Sequence, residues 1–193
     1  NEYSVRIKLL DDHGQVVDES SPVVFETGFM GTHWQAGWIE PVQEDAVQEK
    51  ELGFFEMVTY VDDGRSATRL RPCQELRREF TCEKTLKKAR VYATAHGIYN
   101  LYINGEKVSG QRLAPEVSCY DERLYYQTYD VTKLIDPGVN TIGAILADGW
   151  WIGRLGMAGD SCNYGNRLGF LMQMELTWTD GTTQLIVSDE QMQ

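Results

Sequence analysis

The stretch from Phe170 to Trp178, FLMQMELTW, alternates with period two. Phe170, Met172, Met174, Leu176 and Trp178 fall on one side, and Leu171, Gln173, Glu175 and Thr177 on the other. An extended strand sends successive side chains to opposite faces, whereas a helix would scatter this set around its axis, so the pattern dictates a half-buried β-strand. The strand runs into TDGT, where Asp180-Gly181 suits the positive dihedrals of a tight hairpin, and TQLIVSD returns beside it. The same grammar recurs upstream. ARVYATA reads as a strand, and IYNLYING puts Tyr99, Leu101 and Ile103 on one face before Asn104-Gly105 turns the chain into Glu106-Lys107-Val108. RLYYQTYD reads as another strand. Asp130 then caps a short helical turn through Leu134, and DPG at Asp136 to Gly138 breaks it before the strand NTIGAILA. Short strands at these spacings, with hardly any long helical stripe, predict an all-β, antiparallel sandwich.

The first third differs. Tyr3 to Leu10 and Val23 to Phe25 read as two strands joined through DDHGQ, and the chain then enters GTHWQAGWIEP with Pro41 as punctuation. The acidic VQEDAVQEKELG is expected as an exposed loop or short helix at the edge of the sandwich, because apolar FFEMV resumes directly after it. An isolated strand pair is marginal in water, so residues 1–30 are expected to be the tail of a domain that starts upstream, and 31–193 the sandwich itself. The opening NEYSVRIKLL is already strand-like and carries no signal-peptide pattern, as at a mature terminus or in a piece of a longer chain.

Composition excludes several function classes. A net charge of −11 over 193 residues argues against a nucleic-acid partner, and the basic clusters at Arg69–Arg78 and Lys84–Arg90 are interrupted by acidic residues. No apolar run approaches the roughly 20 residues that cross a bilayer, so no membrane partner is expected. The spacings of Cys73, Cys82, Cys119 and Cys162 match neither a zinc ribbon nor a redox pair. No HExxH, P-loop or dinucleotide fingerprint occurs, and His13, His33 and His96 lie in no catalytic pattern. Asp121, Glu122, Asp148 and Asp160 are the carboxylates near aromatics, but their spacing defines no general acid and base pair, so no catalytic residue is assigned.

What remains is DGWWIGRLG, Asp148 to Gly156. Two readings stand. In one, a tryptophan of the pair offers a flat face to a sugar: Trp150 or Trp151 stacks, Arg154, Tyr120 and Asp121 supply planar hydrogen-bonding groups, and Tyr164 closes the side. In the other, one tryptophan packs under the sheet and Arg154 ties down a loop. AGDSCN offers oxygens at Asp160, Ser161 and Asn163 without the spacing of an EF-hand loop, so no metal ligand is assigned and calcium is only weakly indicated.

The motifs ARVYATAHGIYNLYINGEKV, LAPEVSCYDERLYYQTYDVT, NTIGAILADGWWIGRLG and YGNRLGFLMQMEL, in this order, resemble the N-terminal sandwich domain of bacterial α-L-rhamnosidases. FETGFMGTHWQAGWIEP resembles the family's junction with a preceding fibronectin-type-III-like domain, which would make Tyr3 to Phe25 that module's last two strands. The resemblance implies a jelly-roll-like, galactose-binding-like sandwich. It also implies a parent glycosidase that removes terminal α-L-rhamnose with inversion, using acidic residues in a helical domain outside these residues. It implies an accessory role here, structural or substrate-recognising, with calcium-assisted rhamnose binding in some members. The expected partners are rhamnose-containing glycans and the parent's own catalytic domain, in a bacterial protein that is periplasmic or secreted rather than cytoplasmic.

Overall fold

The computed structural model describes residues 2–28, 34–49, 53, 55, 71–155 and 160–193. His33, Gly156 and most of the FFEMV run lie outside them. In chain order the strands are β1 (Glu2–Val5), β2 (Lys8–Leu10), β3 (Val16–Glu19), β4 (Val23–Glu26), β5 (Gln74–Cys82) and β6 (Leu86–His96). They continue as β7 (Ile98–Ile103), β8 (Glu106–Lys107), β9 (Gln127–Asp130), β10 (Gly138–Ala147), β11 (Gly169–Trp178) and β12 (Thr183–Val187). A 3₁₀ turn, Thr132–Leu134, and one short helix, α1 (Gly149–Ile152), interrupt them.

The chain divides into two compact units, Asn1–Trp34 and Gln35–Gln193, just beyond the boundary expected at residue 30. In the first unit the strand expected over Tyr3–Leu10 is broken into β1 and β2, the one expected over Val23–Phe25 forms as β4, and β3 is a further strand. β1 pairs with β4 and β2 with β3, both antiparallel. The breaks fall at Arg6-Ile7 and around Pro22, whose nitrogen cannot donate to a ladder. Ser20 spans them: its N–H donates to the Ile7 oxygen at 2.9 Å and its Oγ accepts from the Ile7 N–H at 3.0 Å. Ile7 is 72% and Val23 64% exposed, so these short ladders leave apolar side chains in solvent.

The second unit is built from two four-stranded antiparallel sheets, ordered β5-β10-β7-β8 and β12-β11-β6-β9. The expected hairpins form in register. Thr177 pairs with Thr183 across the turn at Gly181, and Ile103 pairs with Glu106 across Asn104-Gly105, where both residues take positive φ. The strand expected from Arg123 begins only at Gln127. There the Thr94 Oγ1 donates to the Tyr125 carbonyl at 2.6 Å, so a side chain holds the neighbour of β6 where a backbone ladder would otherwise continue.

Met172, Met174 and Leu176 of β11 are fully buried with Phe170, as the alternation requires. The opposite face departs from expectation, because Leu171 and Gln173 are buried as well. On this face Gln173 is met by the segment after residue 34. The Gln35 N–H donates to Gln173 Oε1 at 2.8 Å, and Ile39 and Phe170 exchange backbone hydrogen bonds of 3.0 and 2.9 Å. β12 ends opposite Gln173, so Gly37–Ile39 occupies the stretch of the β11 edge that β12 leaves open. Periodicity within β11 carries no information about a segment that lies over a hundred residues away in sequence.

The two sheets meet where the Tyr99 ring stands edge-on to Phe170 at a centroid distance of 5.7 Å. At the opposite end the buried Asn140 knits the DPG turn. Its Oδ1 accepts from the Asp136 N–H at 2.8 Å and from Asn104 Nδ2 at 2.7 Å, while its Nδ2 donates to the Asp136 and Gly138 carbonyls. Asp130 accepts the Thr132 N–H at 3.0 Å, but the cap position of the turn belongs to Val131, one residue later than the sequence suggests. Replacing Asn140 by Ala strands several of these groups and is expected to cost about 3 kcal/mol. Urea unfolding checks this, with a lower midpoint and an unchanged slope.

Candidate functional site

The DGWWIGRLG segment sits where β10 ends, beside the end of β6 and the start of β7. A Cβ at Gly149, whose φ is +54°, would stand 2.5 Å from Ile98 Cγ2, so only glycine lets the chain turn from β10 into α1 this tightly. Ile152 enters the core, and Trp151 lies half-buried at its margin. Gly165 lies so close to the Trp151 indole that any side chain there would collide with it.

Trp151 belongs to a column of rings. His96, the last residue of β6, is sandwiched between Trp38 and Trp151, with centroid distances of 3.9 and 4.0 Å and interplanar angles of 12° and 7°. Trp151 also has Tyr164 at 6.1 Å and Tyr120, edge-on, at 5.4 Å, and those two tyrosines are themselves edge-to-face at 4.9 Å. Burial holds the His96 imidazole below its usual pKa, partly opposed by the nearby Glu40 carboxylate. Burial also raises the Tyr120 hydroxyl.

Around this column the irregular segment Gln35–Glu49 is fastened by side chains. The Gln43 amide mimics a strand partner: its Nε2 donates to the Leu168 carbonyl at 2.8 Å and its Oε1 accepts the Leu168 N–H at 2.9 Å. Arg167 bridges Glu40 and Asp45. Arg71 reaches Asp148 Oδ1 at 3.1 Å and the Glu44 carbonyl at 2.9 Å. Burial nevertheless holds the Asp148 carboxyl above its ordinary pKa, with Arg71 acting against it. Arg154 donates through Nε to Glu49 Oε2 at 2.7 Å and through Nη2 to the same oxygen, and the Glu49 side chain is only 10% exposed. The Glu49 N–H in turn donates to the buried Ser161 Oγ at 2.9 Å.

Of the six residues singled out by sequence, Trp151, Tyr120 and Tyr164 come together in the ring cluster. Trp150 is half-buried on the same helix, Asp121 is exposed in the turn that follows Tyr120, and Arg154 faces Glu49. Sequence reasoning passed over Trp38, His96 and Glu49. His96-Gly97 at a strand junction was visible, but nothing local marked its neighbours, which come from positions 38 and 151. Among the described residues no group of three or more His, Cys, Asp or Glu is placed to hold a metal ion. All four cysteines are unpaired.

The architecture is that of an antiparallel β-sandwich module, with its loops gathered into one aromatic, ion-paired end. Residues 84–193 match the family described as alpha-L-rhamnosidase N-terminal domain, and the chain belongs to that family. It is 42% identical over 126 residues to an alpha-L-rhamnosidase of Streptomyces avermitilis, covering 65% of this chain and 12% of that protein. It is 37% identical over 173 residues to one from Formosa agariphila, covering 88% of this chain and 17% of that protein. The crystal structure of the native Aspergillus terreus enzyme superposes with a TM-score of 0.81 at 31% identity, over 99% of this chain and 20% of the other. The chain thus spans less than a quarter of the length of these relatives.

The depressed pKa of His96 gives stability a sign. The unfolded imidazole takes up its proton near pH 6.5, before the folded one does, so the neutral stack contributes in full above that value and its contribution is lost as pH falls below it. Thermal melts of the chain are expected to show Tm falling below pH 6.5 by more than in His96→Gln. Equal pH slopes for the two would refute this assignment.

Proposed function

We propose that this chain is an accessory module of an enzyme that releases terminal α-L-rhamnose, and that its aromatic end is a rigid scaffold for the parent's catalytic domain. The observation that carries the choice is that Trp151 is committed to a ring cluster, stacked on His96 at 4.0 Å with Tyr164 and Tyr120 beside it. A pyranose stacks on an open aromatic face, and His96 occupies one face of Trp151. Arg154, the second anchor of a sugar site, is engaged with Glu49. Membership in the rhamnosidase family supports the substrate class, and the inverting course of the reaction is part of the same proposal.

A second reading keeps rhamnose recognition in this module. Trp150 and the exposed Asp121 favour it, since neither is committed to the ring column, and the Streptomyces avermitilis relative has been solved in complex with L-rhamnose. Calcium assistance belongs to this reading.

Two measurements separate the readings. Under the scaffold reading, Trp151→Ala in the full-length enzyme costs about 3 kcal/mol of stability and lowers kcat on an aryl α-L-rhamnoside without raising KM. An enzyme that keeps both Tm and turnover after this change rules the scaffold out. Calorimetric titration of the 193-residue chain with L-rhamnose, with and without calcium, is expected to give no heat at millimolar sugar. Saturable binding lost in Trp150→Ala or Asp121→Ala establishes the second reading in its place.

A further inference from the structure

β5 is the edge strand of its sheet, nine residues long, with β10 on one side. Edge strands of that length are usually covered, shortened or blunted, because their unpaired amides and carbonyls invite a further strand. Here a further strand has already begun. The Arg77 N–H donates to the Gln193 oxygen at 2.5 Å, and the Gln193 N–H donates to the Arg77 carbonyl at 2.9 Å. Two residues that exchange both bonds are a hydrogen-bonded pair of an antiparallel ladder.

The approach to this pair is built. After β12 the chain leaves the other sheet and crosses to β5, and Arg78 holds the crossing. Its Nη1 bonds the Val187 carbonyl and pairs with Asp189 at 2.8 Å, and its Nη2 donates to Gln191 Oε1 at 2.9 Å. The Met192 N–H closes a turn onto the Asp189 carbonyl at 3.0 Å, and its side chain is buried in the core. The turn delivers Gln193 in extended register with Arg77.

We infer that the edge of β5 away from β10, which pairs with no other strand among the described residues, is a strand-addition surface, filled by the polypeptide that follows Gln193 in proteins of the length of the relatives. This rests on the proposal that the chain is a module of a longer rhamnosidase. The register follows from the Arg77–Gln193 pair. Backbone groups of alternate residues point to alternate sides of a strand, so Glu75 shares the outward direction of Arg77, whereas Gln74, Leu76 and Arg78 point toward β10. Running antiparallel, the second residue after Gln193 pairs with Glu75. The first stands opposite Leu76, which is 4% exposed, and so faces the core side. An apolar residue is expected there, followed by a polar one opposite the exposed Glu75. The outward charges of Glu75, Arg77 and Glu79 disfavour strands in other registers.

Hydrogen exchange, read amide by amide in the 193-residue chain and in the longer protein that contains it, tests the inference. The Glu75 amide is expected to slow by at least about tenfold in the longer protein, while Glu79 and Thr81, beyond the turn at Asp189–Met192, keep their rates. An unchanged Glu75, or slowing at Thr81 without Glu75, overturns it. A second variant guards the result: Glu75→Pro removes only an outward N–H, so it is expected to lower the unfolding midpoint of the longer protein by more than that of the 193-residue chain. Equal shifts overturn the inference too. Rhamnosidase activity measured on the same longer protein keeps the two proposals apart. An active enzyme with an unprotected Glu75 defeats only the added strand, and an inactive one with a protected Glu75 defeats only the assigned substrate.

Discussion

Tyr99 is the residue on which both sheets and the loop between β8 and β9 converge. Its backbone pairs with Leu146 in one sheet, and its ring lies edge-on to Phe170 of the other. Its hydroxyl stands 3.1 Å from the Ala93 carbonyl oxygen and 3.0 Å from Gln127 Oε1, both in the second sheet, and its N–H donates to the Ala114 carbonyl of the loop that follows β8. The hydroxyl is buried and held well above its usual pKa, so it remains a neutral hydrogen-bonding group at any pH the fold survives. A tyrosine is needed because a buried ring must fill the space between sheets while its polar tip satisfies the groups it displaces from water.

From that anchor the aromatic end follows. Tyr99 fixes the start of β7, Gly97 and Ile98 turn the chain from β6, and His96 is thereby presented at the sheet margin between Trp38 and Trp151. Each ring comes from a different part of the chain, and each is held by a separate device: Trp38 by the strap along β11, His96 by β6, and Trp151 by α1. Partly buried ion pairs such as Arg71–Asp148 and Arg154–Glu49 fasten the irregular segments between them. Such pairs add little net stability compared with apolar packing, but they penalise every arrangement in which one partner is left alone.

Much of the sandwich was legible in sequence. The period of β11, the Asp180-Gly181 and Asn104-Gly105 turns, and the Asp130 and DPG breaks all rest on local sterics and on the alternation of a strand, which act within a few residues. What escaped were contacts made across sequence. Leu171 and Gln173 look solvent-facing in FLMQMELTW, yet both are buried, and Gln173 bonds a strap residue 138 positions away. RLYYQTYD looks like a strand throughout, and a single threonine hydroxyl on β6 shortens it. Tyr3 to Leu10 looks like one strand, and the chain breaks it at Arg6-Ile7, where Ser20 bonds both backbone groups of Ile7.

At DGWWIGRLG the division is sharpest. Sequence by itself determined that two large rings and a cation crowd together among glycines there. It also left two uses for those rings open. Only the tertiary structure decided which ring faces are covered and which carboxylate meets Arg154. His96, Tyr164 and Glu49 reach the segment through the packing of β6, the loop before β11 and the strap, and pairings set by packing leave no periodic trace in the chain.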